Sequence, residues 1–172
     1  SKVGLVKGLS LTASISLNNI KYNDIINKLI TKEIIDILDI KYNTINLYVK
    51  VFLNGKWLGI TKNPNKIVEI IDIAKNKNII DKTINAFILI DTMELIIYTD
   101  GGRLIRPLLK IKNNKLLLTK NMIELITTND NIKRIKNWKE FLIKFPYVID
   151  FVDIEKSNIS MISMELGNLS RE

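Results

Sequence analysis

The feature that most constrains this chain is one hairpin signal. The run Leu47-Tyr48-Val49-Lys50-Val51-Phe52-Leu53 is β-branched and aromatic, and it ends at Asn54-Gly55 before Lys56-Trp57-Leu58-Gly59-Ile60. Asn-Gly suits a two-residue turn in which both residues take positive φ, and the flanking residues favour the pleated state. Two antiparallel strands are therefore predicted over 47–60. A lone hairpin is only marginally stable, so the rest of the chain must supply strands beside it and a face to cover it.

That cover is legible on both sides. Ile25, Ile26, Leu29, Ile30, Ile34, Ile37 and Leu38 fall mostly at steps of three and four, predicting an amphipathic core helix with Asn23 or Asp24 as N-cap. Asn63-Pro64 opens a second helix, with Asn63 as N-cap and Pro64 in the first helical position. Its apolar face is Ile67, Val68, Ile70, Ile71 and Ala74. Strands follow at 85–90 and 94–99, joined by the turn Asp91-Thr92-Met93, then at 103–111 and 116–118. The last third predicts helices near 120–127 and 132–144 and a strand pair near 147–154 and 159–164. The opening segment Gly4–Thr12 reads as an extended strand or buried connector, and 165–172 as a frayed tail.

The fold class expected is α+β, with mixed, mostly antiparallel strands joined by short turns and helices packed to one side. Three regions are expected: 1–45 as connector and amphipathic helix, 46–110 around the hairpin and the Arg103–Pro107 strand, and 111–172 as a second lobe. At 47% hydrophobic and 26% charged residues, the chain has the balance of a folded protein. No apolar run approaches the ~20 residues of a membrane span and no signal-peptide pattern is present, so the expectation is an intracellular, soluble protein.

The chain contains neither Cys nor His. Thiol catalysis, Ser-His-Asp chemistry and Cys- or His-based zinc sites are thereby excluded, as are disulfides. Nucleotide-binding glycine motifs are also missing. Asp150 with Asp153, and Asp153 with Glu155, form acidic pairs, and on a strand the last two would share a face. With no third ligand placed nearby, they read as a solvated strand edge rather than a metal or acid–base site. Arg103 and Arg106, three apart on a strand, would face opposite ways and so read as separate ion pairs. Trp57 reads as the cap of a small core. The formal net charge is +8, which favours polyanionic partners, but the lysines are scattered among Ile and Asn as AT-rich coding alone would produce. An independent basic nucleic-acid-binding module is the alternative reading, although sustained Lys–aromatic interleaving is absent.

Four collinear segments resemble one family. Phe52-Leu53-Asn54-Gly55-x-Trp57-x-Gly59 followed by Pro64 is similar to the V-F-V-N-G-x-W-x-G…P signature of the second-largest subunit of multisubunit DNA-directed RNA polymerases. Ile97-Tyr98-Thr99-Asp100-Gly101-Gly102-Arg103-Leu104-Ile105-Arg106-Pro107-Leu108 resembles its I-x-T-D-A-G-R-x-x-R-P-L. Gly4-Leu5-Val6-Lys7-x-Leu9-Ser10-Leu11 resembles G-L-V-K-N-L-x-L, which normally follows E-T-P-E-G. Phe151-Val152-Asp153-Ile154-Glu155 through Ile162-Ser163-Met164 resembles Y-I-D-x-E-E-E…I-A-M, and Trp138 matches a Trp in the preceding helix. Departures include Gly101 for Ala, Gly8 for Asn, the broken acidic run Glu155-Lys156-Ser157-Asn158, and Ala74-Lys75-Asn76-Lys77 for an Arg-rich helix end. With the coding bias, they point to a divergent member such as a polymerase of a large DNA virus.

The resemblance implies an internal piece covering the external domains, beginning after E-T-P-E-G and stopping before the hybrid-binding region. It implies a scaffold role in DNA-templated RNA synthesis, with no activity in the chain alone. It implies no cofactor here, the magnesium of the assembled polymerase being bound elsewhere. The implied partners are other polymerase subunits, notably the largest, with DNA and RNA met through the assembled enzyme and no membrane. Candidate contact residues are Asn54, Gly55, Trp57, Gly59, Gly102, Arg103, Arg106 and Pro107, and Lys7 is the candidate nearest nucleic acid. A cut start implies an exposed apolar strand over Val3–Leu11 and some self-association.

Overall fold

The computed structural model describes residue 4 and residues 8–39, 47–128, 135–165 and 167. Helices and mostly antiparallel strands combine in an α+β fold, as expected, with a five-stranded sheet, a three-stranded sheet and a small two-stranded ribbon.

The hairpin is β3 (Val49–Leu53) and β4 (Lys56–Thr61), turning at Asn54 and Gly55 with φ of 49° and 79°. Beside them lie β2 (Ile35–Asp36), β5 (Asn85–Leu89) and β6 (Glu94–Tyr98), in the order β2-β4-β3-β6-β5. Every pairing is antiparallel except β3 with β6, because the chain crosses over between them through β4, α2 (Pro64–Asn76) and β5. Period-two alternation sends Val49, Val51 and Leu53 of β3 and Leu95 and Ile97 of β6 inward. They meet Ile26 and Ile30 of α1 (Asn23–Ile30) and Ile67, Ile71 and Ala74 of α2, forming the larger core.

The second sheet runs β1 (Ser14–Ile15), β7 (Leu104–Leu109), β10 (Ile149–Asp153), with β7 central and both neighbours antiparallel to it. A smaller core of Ile135, Phe141, Val148 and Ile149 gathers beside it, covered by α3 (Lys120–Thr127) and α4 (Trp138–Lys144). Between β7 and α3 the ribbon β8 (Ile111–Lys112) and β9 (Lys115–Leu116) turns at Asn113 and Asn114, both at positive φ. The chain then leaves β10 into α5 (Ile154–Ile159).

Several expectations are corrected. The first helix stops at Ile30, gives way to a 3-10 turn at Thr31–Glu33 and continues as β2. Ile34-Ile35 are β-branched, and pairing Ile35 with Ile60 satisfies their backbone better than another helical turn. Neither Asn23 nor Asp24 is the cap: the helix starts at Asn23 after a 3-10 turn, Asp24 lies within its first turn, and the Asn23 side chain is engaged elsewhere. Asn63 and Pro64 take the expected N-cap and first helical positions, but the Asn63 side chain makes no cap bond. The predicted helix over 132–144 is α4 alone from Trp138, residues 129–134 lying outside the described set. No strand forms over 159–164; the partner of β10 is β7, and Asp153 turns the chain into α5 by accepting from Lys156 N at 2.9 Å. The described residues 8–12 form an exposed turn rather than a strand, with Leu9 and Leu11 at the surface. Among the described residues no helix is long and apolar enough to cross a membrane.

Candidate functional site

The turn between β6 and β7, Thr99 to Arg103, gathers residues of three motif segments and of the stretch 16–19. Asn54, at the hairpin tip, donates from Nδ2 to Thr99 Oγ1 at 2.7 Å and accepts from Thr99 N at Oδ1 at 2.8 Å. Thr99 Oγ1 in turn donates to Asn23 Oδ1 at 2.6 Å. From the stretch after the first motif segment, Ser16 Oγ donates to the Asp100 carbonyl (3.1 Å) and accepts from Arg103 N (3.0 Å). Asn19 N donates to the Thr99 carbonyl at 2.9 Å, and its side chain reaches Thr83. Ser16, Asn19 and Thr99 are all buried, so each of these bonds replaces water that the fold has removed.

Arg103 completes the hub. Its guanidinium donates to Asp153 Oδ2 at 2.8 Å and to the Thr83 carbonyl at 3.1 Å, and its Nε lies 2.9 Å from Asp100 Oδ1. Its side chain is 12% exposed and that of Asp153 is 5% exposed. The fork thus bridges the two sheets: Asp153 ends β10, and Thr83 precedes β5. Tyr98 stands 5.7 Å away beneath the same guanidinium. Burial, with the hydrogen-bonded Glu155 carboxylate beside it, pushes the Tyr98 phenol up to about 12, so it stays a neutral donor.

A second ionic cluster joins α2 to β10. Buried Lys75 lies 3.1 Å from Asp72 and 3.3 Å from Asp150, whose other oxygen takes Lys156 at 2.7 Å. Burial alone would raise the Asp150 carboxyl, but Lys75, Lys156 and the more distant Lys110 outweigh it and hold it well below the ordinary range. Burial likewise opposes charge on Lys75, and Asp150 and Asp72 overcome that and raise its pKa. Lys82, whose pKa burial lowers, donates to the Leu142 carbonyl and ties the turn before β5 to α4.

A depressed carboxylate stabilises the fold above its unfolded pKa of about 4, and that contribution fades as pH falls towards the folded value. Asp150→Asn is therefore expected to be clearly less stable than the parent at pH 7, with the gap narrowing steadily below about pH 4. Urea unfolding at a series of pH values checks this; a gap that does not change with pH would refute it.

The candidate residues separate by placement. Asn54 and Arg103 point into the hub, and Gly59 is buried where β4 meets β2. Trp57 is half-buried, stacks on Phe52 at 6.4 Å between ring centres, and donates from Nε1 to the Gly59 carbonyl at 2.8 Å. Gly55 and Gly102 are exposed at turns, and Pro107 is half-buried on β7. Arg106 is exposed and its guanidinium donates to Ser157 Oγ at 2.5 Å; the two arginines serve separate contacts as expected, but of the two only Arg103 makes an ion pair among the described residues. Lys7 lies outside the described residues.

The solvated-edge reading is corrected for Asp150 and Asp153, half-buried and buried respectively and each held against a cation, whereas Glu155 is exposed and lies on α5, not on a strand face shared with Asp153. Among the described residues no cluster of three or more acidic side chains could hold a metal ion. Lys75 escaped sequence reasoning, although its spacing of four from Ile71 and eight from Ile67 places it on the buried stripe of α2. Gly101, which stands for the expected Ala, has a local reason: a Cβ there would lie 2.9 Å from Asn18 N, too close for the segment 16–19 that runs past it.

Comparison with known proteins gives a consistent match. The family model for RNA polymerase Rpb2, domain 4, fits residues 51–112. The DNA-directed RNA polymerase subunit 2 of Acanthamoeba polyphaga mimivirus is 34% identical over 163 residues, covering 95% of this chain and 13% of that protein. The DNA-directed RNA polymerase II subunit RPB2 of Encephalitozoon cuniculi is 30% identical over 169 residues, 98% of this chain and 14% of its own. The DNA-directed RNA polymerase II subunit 2 of Arabidopsis thaliana is 29% identical over 166 residues, 96% and 14% respectively. The chain thus spans about one-seventh of the length of these relatives.

Proposed function

This chain belongs to the second-largest-subunit family of DNA-directed RNA polymerases, and we propose that it acts there as a scaffold segment supporting DNA-templated RNA synthesis. The observation that carries the reading is the direction of the family signature. Its most distinctive polar residues are spent inside the fold: Asn54 pairs with Thr99, Arg103 pairs with Asp153, and Arg103 also reaches the Thr83 carbonyl ahead of β5, which ties the two sheets. Residues spent in this way fix a shape rather than meet a substrate.

A fixed shape is useful to an assembly because it presents its outer turns without an ordering cost. The proposed contacts are the exposed Gly55 and Gly102 turns and Arg106, with Trp57 and Pro107 at their margins; Asn54, Gly59 and Arg103 hold them in place. The proposed partners are other polymerase subunits, the largest foremost.

Affinity capture of the tagged parent subunit from its native source, followed by mass spectrometry, tests the proposal. The largest-subunit homologue is expected among the recovered proteins. The 172-residue chain alone is expected to incorporate no nucleotides on a primed template. Recovery without any polymerase subunit, or with nucleic acid alone that is lost on raising salt, would overturn the reading.

A further inference from the structure

The ribbon β8–β9 has two unlike faces. Register places Ile111 opposite Leu116 and Lys112 opposite Lys115, and Leu117 N donates to the Lys110 carbonyl, extending the ladder by one pair. Alternation across the pleat then puts Ile111 and Leu116 on one face, and Lys110, Lys112 and Lys115 on the other. The apolar face lines a groove with Leu109, Met161 and Met164. Lys112 and Lys115 are exposed, and among the described residues neither has an ion-pair partner.

Like charges directly opposite on a ribbon repel, so this register is locally unfavourable unless an anion sits over it. The local sequence supplies none for Lys112 or Lys115, whereas Lys110 lies towards Asp150. Residues 101–123 contain six Lys or Arg and no Asp or Glu. Of the cations in that stretch, Arg103 is committed to the hub, Arg106 to Ser157, and Lys110 is half-buried, leaving Lys112, Lys115 and Lys120 at the surface.

We propose that the lysine face of the β8–β9 ribbon is a nucleic-acid contact, read through the phosphate backbone. The face carries no aromatic residue and no Arg, the side chains that anchor protein–protein interfaces, whereas Lys is depleted from such interfaces. What it offers is flexible point charge, which suits phosphates without regard to base sequence. A two-stranded ribbon also has a cross-section that the major groove of duplex DNA accepts. The scaffold reading is neither required nor weakened by this contact, which belongs to the chain's own surface.

The test is fluorescence anisotropy of a short labelled DNA duplex titrated with the 172-residue chain across a range of salt concentrations. Lys112→Gln/Lys115→Gln is expected to make the slope of log affinity against log salt shallower by about 2, with affinity falling about tenfold at moderate salt. Lys28→Gln/Lys32→Gln removes the same charge from the exposed surface around α1 and is expected to leave the slope nearly unchanged. Thermal unfolding of the ribbon variant should match or slightly exceed the parent, since a repulsive pair is removed. An unchanged slope in the ribbon variant, or equal losses in both variants, would overturn the proposal. So would displacement of the duplex by polyglutamate at equal charge, because an acidic protein segment would then fit the face as well.

Discussion

Arg103→Ala is expected to lower folding stability by about 3–5 kcal/mol, the usual cost of leaving a buried charge without its partner. Asp153 is the group left behind. It keeps its cap on α5 through Lys156 N, but loses the guanidinium that balances its charge. The Thr83 carbonyl and the Asp100 carbonyl lose a donor at the same time. At this chain length the melting temperature should fall by roughly 10 °C, taking about 2–4 °C per kcal/mol. Arg103→Lys is expected to recover only part of the loss, because one ammonium cannot span Asp153, Thr83 and Asp100 as the planar fork does. Urea unfolding of the three proteins is the check, and a loss below about 1 kcal/mol in Arg103→Ala would show the bridge to be worth no more than a surface pair.

Gly59→Ala is the second large effect, with an expected loss of about 4 kcal/mol. The register of β3 on β4 slips between Val51 and Phe52: Val51 faces Gly59 while Phe52 faces Trp57, leaving Leu58 as the extra residue of a bulge. The bulge turns β4 towards β2, whose Asp36 pairs with Gly59 itself. A Cβ on Gly59 would stand 2.3 Å from the Ile35 carbonyl oxygen and 2.6 Å from Ile34 Cγ2. The first is backbone, so relief requires β2 to detach. Its φ of 157° adds a conformational cost of about 1–3 kcal/mol, and overpacking adds about as much again. Gly102→Ala separates the two causes, since Gly102 also has positive φ, at 83°, but open space where the Cβ would go. It should lose only the backbone part, about 1 kcal/mol. If the two alanine variants unfolded at the same urea concentration, close approach at Gly59 would be excluded as the cause.

The sequence showed local structure well wherever one short segment settles its own conformation. Asn54-Gly55 demands positive φ at two successive residues, and the turn is where it was expected. Pro64 opens α2, and Asp91-Thr92-Met93 turns β5 into β6. Helical spacing also marked Ile26, Ile30, Ile67, Ile71 and Ala74 of the larger core, since burial of one face is what that period encodes. The errors cluster where two segments compete for one partner. Ile34 and Ile35 fit the helical period, yet a strand edge on β4 was available to them. Residues 159–164 look like a strand, but β10 had already found β7.

Charge was less legible than packing. Asp150, Asp153, Lys75 and Lys156 are unremarkable in sequence, because a lone charged residue reads as solvated until something covers it. The partners are far apart along the chain: Arg103 and Asp153 by 50 residues, Lys75 and Asp150 by 75. The same holds for the ribbon lysines, scattered in sequence and gathered on one face only by the pairing of Lys112 with Lys115.

By itself, then, the sequence determined the elements, the α+β class and the family, because turn chemistry, periodicity and ordered motifs are properties of neighbouring residues. Only the tertiary structure decided that Arg103 ties the two sheets and that Asp150 and Asp153 are each committed to a cation. It also decided that one face of the ribbon carries the unbalanced charge. Those outcomes depend on which distant segments exclude water from which side chains, and burial is what turns a charge from a solvated group into a structural commitment.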